Sequence, residues 1–164
     1  MSRRERWVPL LGYPGYSASS HGNIRNDRRY HVLTPVVLPE RRPFVRLTLD
    51  GVQVGRNVSK LVAEAFIIPE RPDWTTPIHF DGNLHNCHVE NLDWRPRWFA
   101  LKHTEQFHKS LPEVDDPVRD IDERRVYENP WAAVFAAGLL YMDLLLSIYN
   151  KTYVFPTMHK YEWA

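Results

Sequence analysis

One cysteine, Cys87, is too few for any intramolecular disulfide, and without Cys pairs at metal-binding spacing neither a zinc ribbon nor a zinc finger can form. The missing disulfide framework fits a reducing compartment. The charged start Met1 to Arg6, followed by apolar residues interrupted by Pro9, Gly12 and Pro14, predicts no secretory leader and a cytoplasmic location. Net charge is also nearly lacking, at +1. Spread evenly, that balance would argue against a polyanionic partner. Thirteen prolines exclude long uninterrupted helices over most of the chain and leave short elements in a mixed fold.

What is present is less even. The 164 residues are 43% hydrophobic and 13% aromatic, enough to bury a core in one compact domain or two small ones. Residues 1–60 hold eleven Lys or Arg against four acids, whereas residues 113–128 hold seven acids against three Arg. The small net charge thus conceals a basic front and an acidic hinge, and the asymmetry points to a polyanion for the front. Arg25, Arg28, Arg29, Arg41, Arg42, Arg46 and Arg56, with Arg3, Arg4 and Arg6 before them, supply guanidinium groups suited to phosphate forks and guanine edges. Tyr13, Tyr16 and Tyr30 lie among them.

Along the chain, residues 5–26 read as short strands and turns, and Tyr30 to Leu38 and Phe44 to Leu49 as further strands. In the latter, Val45, Leu47 and Leu49 alternate with Phe44, Arg46 and Thr48 before an Asp50-Gly51 turn. Val58, Leu61, Val62, Ala65 and Phe66 fall on one helical face that Pro69 closes. A short strand near Ile78 to Phe80, a turn at Asp81-Gly82-Asn83 and a helical or extended stretch from Val89 to Trp94 follow. The expected fold class is α+β, with a small N-terminal antiparallel sheet (1–57), a strand-strand-helix module (58–110), an acidic linker (111–130) and a C-terminal apolar helix with a tail (131–164).

That last helix, Trp131 to Tyr149, is almost wholly apolar apart from Asp143 and Ser147. It is long enough to be weighed as a membrane span, but an acid inside a bilayer costs about 2.5–3.5 kcal/mol on insertion scales. Burial in its own domain is the first expectation, followed by a protein partner or self-association through 131–149, with a membrane disfavoured.

The stretch His79-Phe80-Asp81-Gly82-Asn83, then Asn86, then Asn91-Leu92-Asp93-Trp94, resembles the HNH signature of homing endonucleases. Val58 to Phe66 is similar to that family's upstream helix, with Ser59 where a His is usual. Trp7 to Asn26 resembles the nuclease-associated modular DNA-binding motif. The resemblance covers about residues 5–105. It implies a ββα nuclease module in which His79 is the base that activates water, Asp81-Gly82-Asn83 is the turn between paired strands, and Asn91 is a brace across the motif. It also implies double-stranded DNA as partner, a mobile element or phage as source, and magnesium as cofactor if the site is active.

The departures fall on the metal. The family holds its divalent ion with an Asp or Asn directly before the His and an Asn shortly after the Trp. Ile78 and Ala100 stand there, and neither side chain has an oxygen for a hard cation. Asp81, Asp93 and Glu90 are the carboxylates that could stand in. His85 and His88 could clip a metal at i, i+3, but the family's usual residues there are not ligands, and they read as surface or DNA-facing. Cys87, where Asn is common, reads as a small buried residue. The leading expectation is therefore a DNA-binding protein derived from an HNH homing endonuclease with an inactive catalytic site. The alternatives are an active magnesium-dependent nicking enzyme and a protein-interaction module using the C-terminal helix.

Overall fold

Closely spaced turn residues keep the first strands short. In the computed structural model, which describes residues 4–164, β1 (Trp7–Pro9), β2 (Tyr16–Ser19), β3 (Ile24–Asn26) and β4 (His31–Val32) form an antiparallel meander in that order. Expected to run from Tyr30 to Leu38, the fourth strand is confined to two residues. Pro35 and Pro39 cannot donate to a ladder, and beyond Val32 only a single bridge from Val36 to Phe44 remains. Val36, Val37 and Leu38 are left exposed.

β5 (Phe44–Leu49) and β6 (Val52–Asn57) pair across the Asp50-Gly51 turn in the register Thr48 to Gln53 and Leu47 to Val54. The alternation is realised, since Val45 and Leu47 are buried while Arg46 and Thr48 face out. Helix α1 (Val58–Phe66) buries Val58, Ser59, Leu61, Val62 and Ala63. It packs with Leu10, Tyr16, Ala18 and Ile24 of the meander into the first core. β7 (Thr76–His79) and β8 (Leu92–Arg95) form a separate antiparallel pair, joined by the 80–91 loop and a single 3-10 turn at Val89–Asn91. Helix α2 (Arg97–Gln106) completes a strand, loop, strand, helix order.

The chain divides into two compact units, one of residues 1–79 and 83–97 and one of 80–82 and 98–164. In the second, the segment read as an acidic linker carries two strands, β9 (Val118–Asp120) and β10 (Arg125–Tyr127). With β11 (Tyr153–Val154) and β12 (His159–Trp163) they form an antiparallel sheet in the order β10-β9-β12-β11. Its charge hid the strands because Asp120 and Asp122 serve the turn and its contacts with β12. Asp120 is buried, accepts from the backbone N–H groups of Asp122 and Glu123 at 3.0 Å, and meets His159 Nδ1 at 2.8 Å.

The apolar C-terminal segment is helical, as α3 (Pro130–Ala137) and α4 (Tyr141–Asn150) rather than one helix. Asn129 caps α3 by accepting from Ala132 N at 2.9 Å, with Pro130 in the first turn. Gly138, at φ 63°, ends it in the left-handed region, and the axis turns by 116° into α4. Among the described residues no single helix is long and apolar enough to cross a membrane. The second core gathers Val134, Leu139, Tyr141, Leu144 and Ile148 with Val118, Tyr127 and Tyr161 of the sheet. Gln106 ties the end of α2 to this core, donating to Leu139 O at 3.1 Å and accepting from Tyr141 N at 2.8 Å.

Candidate nuclease motif and nucleic-acid interface

His79 closes β7 opposite Leu92, the neighbour of Asn91, and is 2% exposed. The intervening loop is organised by its own polar side chains. Asn83 Oδ1 accepts from His85 N at 3.0 Å, Asn86 N donates to Asn83 O at 3.0 Å, and His88 Nδ1 accepts from Glu90 N at 3.2 Å to cap the 3-10 turn. Asn91 Nδ2 donates to Asn86 O at 2.9 Å, so this side chain spans the loop within the first unit. The loop is also stitched to the N-terminal meander. Val89 N donates to Ser20 O at 3.0 Å, and the His21 and His88 rings stack with centroids 5.1 Å apart.

The two other histidines of the motif are thus engaged elsewhere, His88 with His21 and His85 through Nε2 to Leu38 O at 3.1 Å. Cys87 is buried, and burial pushes its thiol up to about 11 against the opposing charge of Arg42. Ser59, on α1, is wholly buried, and its hydroxyl has no hydrogen-bond partner among the described residues. A buried hydroxyl without a partner is destabilising, and this one falls where the family resemblance implies a His.

Ile78 lies directly before His79 with no exposure, and Ala100, in the second unit, is likewise buried. The divalent ion implied by the family resemblance does not fit these residues: both side chains are hydrocarbon and neither can be an oxygen ligand. Of the stand-in carboxylates, Asp93 is committed to Arg95 at 2.6 Å and to Trp94 N at 2.8 Å, while Asp81 and Glu90 are exposed. Among the described residues no group of three or more His, Cys, Asp or Glu side chains is placed to hold a metal ion. Arg95 is itself buried beside Trp74, 5.4 Å from the ring centroid, a pairing that the sequence did not announce.

The arginines of the front separate into two groups. Arg25 is held by Asp27 at 2.9 Å and lies 4.3 Å from the Trp7 ring centroid, and Asp27 also accepts from Ser17 Oγ at 2.6 Å. Arg56 donates to Tyr13 Oη at 2.8 Å and to Gly55 O at 2.9 Å. Arg42 is half-buried, and burial lowers its pKa. By contrast Arg28, Arg29, Arg41 and Arg46 are exposed and make no ion pair among the described residues. Arg6 sits 5.6 Å from the Phe66 ring centroid, Arg4 is exposed, and Arg3 lies outside the described residues.

A meander, a helix and a strand pair carrying His-x-Asp-Gly-Asn and Asn-Leu-x-Trp are the arrangement that the resemblance to HNH homing endonucleases implies. No family model matches the chain. It is 26% identical over 111 residues to an uncharacterised HNH endonuclease of Acanthamoeba polyphaga mimivirus. The match takes in 68% of this chain, which spans 28% of that relative's length. Its fold is similar to that of the HNH homing endonuclease I-HmuI, from a structure describing DNA binding and cleavage by that enzyme. The TM-score is 0.56 at 17% identity, with 97% of this chain and 98% of the other covered. The chain is related to the HNH endonucleases and has the fold of an HNH homing endonuclease.

Proposed function

We propose that this protein binds double-stranded DNA through the exposed arginines of its first unit and does not cut it. The observation that carries the second half is chemical: a buried isoleucine and a buried alanine stand where the family's oxygen ligands belong. Phosphodiester hydrolysis in this kind of site depends on a cation to stabilise charge on the phosphate and leaving oxygen, and neither residue can replace that hold. His79 keeps its place at the end of β7, but a base alone gives the phosphate no counter-charge. The binding half depends on other residues. Arg28, Arg29, Arg41 and Arg46 are free to meet phosphates, while Arg25 and Arg56 are oriented by Asp27, Trp7 and Tyr13.

Four arginine-phosphate contacts release counterions with a slope of about −3.6 in log affinity against log salt, a loss of about 150-fold between 50 and 200 mM. Fluorescence anisotropy on duplex DNA measures this, and a flat response removes the electrostatic interface. The cleavage half is tested by incubating supercoiled plasmid with magnesium or manganese, where no nicked form is expected. If the unmodified protein nicks and a folded His79→Gln variant does not, the inference of an inactive site is wrong.

The α3–α4 pair favours a second contact. Its 116° bend and short Gly138 turn match the geometry of a helix-turn-helix, in which the second helix enters the major groove. The outward face of α4 presents Met142, Asp143, Leu146 and Tyr149, with no guanidinium. Such a helix adds apolar and shape contacts while the first unit supplies the charge. Leu146→Glu should weaken DNA binding if α4 lies in a groove, and unchanged affinity removes this contact.

A further inference from the structure

Beside the turn between β3 and β4, the first unit contains a cavity of about 270 Å³ lined by Gly15, Tyr16, Asn26, Arg28, Arg29 and Thr48. It is smaller than the roughly 300–1,000 Å³ of pockets that take drug-sized ligands, and its charged groups are all of one sign. Two exposed guanidinium groups stand at it, beside the exposed Thr48. Tyr16 Oη accepts from Thr48 N at 2.9 Å, and its own proton has no acceptor among the described residues. No carboxylate lines the cavity.

The walls are fixed by the backbone. Asn26 Oδ1 accepts from both Arg28 N at 3.1 Å and Arg29 N at 3.2 Å, which sets the two consecutive arginines at one edge. A side chain on Gly15 would meet Arg28 Nε at 3.5 Å, so the guanidinium lies close along the backbone there. Asp27 N donates to Gly15 O at 2.8 Å and closes the loop from the other side. Asp27 itself is engaged with Arg25 and Ser17, so it does not neutralise Arg28 or Arg29.

We infer that this cavity binds a single phosphate of a nucleic-acid backbone, with Arg28 and Arg29 as charged donors and the hydroxyls of Thr48 and Tyr16 as neutral ones. It is a register anchor: preset donors hold one phosphate, and the neighbouring exposed arginines follow the strand on either side. The inference rests on the DNA-binding reading and goes beyond it, since loose surface arginines alone would bind phosphates without preferring one.

The test is ethylation interference on a duplex to which the protein footprints at low salt. With the unmodified protein, ethylating one particular phosphate should block binding far more than ethylating its neighbours. Arg28→Gln should lower affinity about tenfold and the salt slope by about 0.9, and should erase that one interference while leaving the others. Thr48→Val, at an exposed strand position, should lower affinity about threefold with the salt slope unchanged and weaken the same interference. If DNA binds but all interferences are equal, or if both folded variants keep the unmodified pattern, the anchor is refuted and DNA binding stands. Absence of duplex binding by the unmodified protein even at low salt overturns both readings together.

Discussion

Gly22 joins the N-terminal meander to the loop of the nuclease-like motif, and its replacement gives a quantitative test of that junction. It has φ +89°, where a Cβ is disfavoured by about 1–2 kcal/mol. A Cβ placed there would come within 2.9 Å of the backbone carbon and oxygen of Cys87 and 3.1 Å of its Cβ. Backbone cannot rotate away as a flexible side chain can, so overpacking adds about 1–3 kcal/mol. The stiffer unfolded chain returns about 0.4–1 kcal/mol. Gly22→Ala should therefore destabilise the first unit by about 1–5 kcal/mol, a sizeable share of the roughly 5–15 kcal/mol typical of a domain.

Two other glycines separate the contributions. Gly51, at φ +79° with nothing within 4 Å of an added methyl group, carries the backbone strain alone, and Gly51→Ala should cost about 0.5–1 kcal/mol. Gly12, with neither a positive φ nor a neighbour, should be neutral or slightly stabilised by alanine. Urea denaturation followed by tryptophan fluorescence measures all three, with midpoints shifting at constant slope. If Gly22→Ala costs no more than Gly51→Ala, the close approach to Cys87 is not what holds the loop.

Three further outcomes are expected. The hydrogen bond to Asp120 raises the pKa of His159, while the buried Asp120 has a net lowered pKa because the Glu123 N–H and His159 outweigh the burial that alone would raise it. The pair therefore stabilises the second unit between these two values, and its contribution fades as pH rises through the raised His159 pKa. Melting temperatures of the unmodified protein should fall more than those of His159→Gln as pH rises from the ordinary imidazole value through the raised His159 pKa, and identical slopes would refute the linkage. Cys87, buried and shifted up to about 11, should resist a thiol-specific disulfide reagent at about pH 8 until urea unfolds the first unit, so rapid native labelling would contradict its placement. Asn129→Ala should lower stability by about 1 kcal/mol through loss of the α3 cap, and a change within about 0.3 kcal/mol would show that the cap is replaced by water.

Local periodicity and turn chemistry made much of the first unit legible in advance. The alternation of β5, the stripe of α1 and the His-x-Asp-Gly-Asn and Asn-Leu-x-Trp spacings are patterns of neighbours along the chain, and one buried face is enough to determine them. The identity of Ile78 and Ala100 likewise sufficed for the chemical argument about the metal, because an aliphatic side chain offers no oxygen wherever it is placed. Pairings between distant residues could not be read this way. The acidic segment became two strands because Asp120 is paired with His159, 39 residues away, and held by its own turn. The apolar C-terminal run became two helices because Gly138 takes a left-handed conformation, and hydrophobicity carries no sign of a bend. Which arginines are free was also decided by tertiary structure: Asp27, Trp7 and Tyr13 engage Arg25 and Arg56, while Arg28 and Arg29 beside them stay open around the cavity. Composition supplies charge, and only the folded chain determines where that charge is already spent on internal partners.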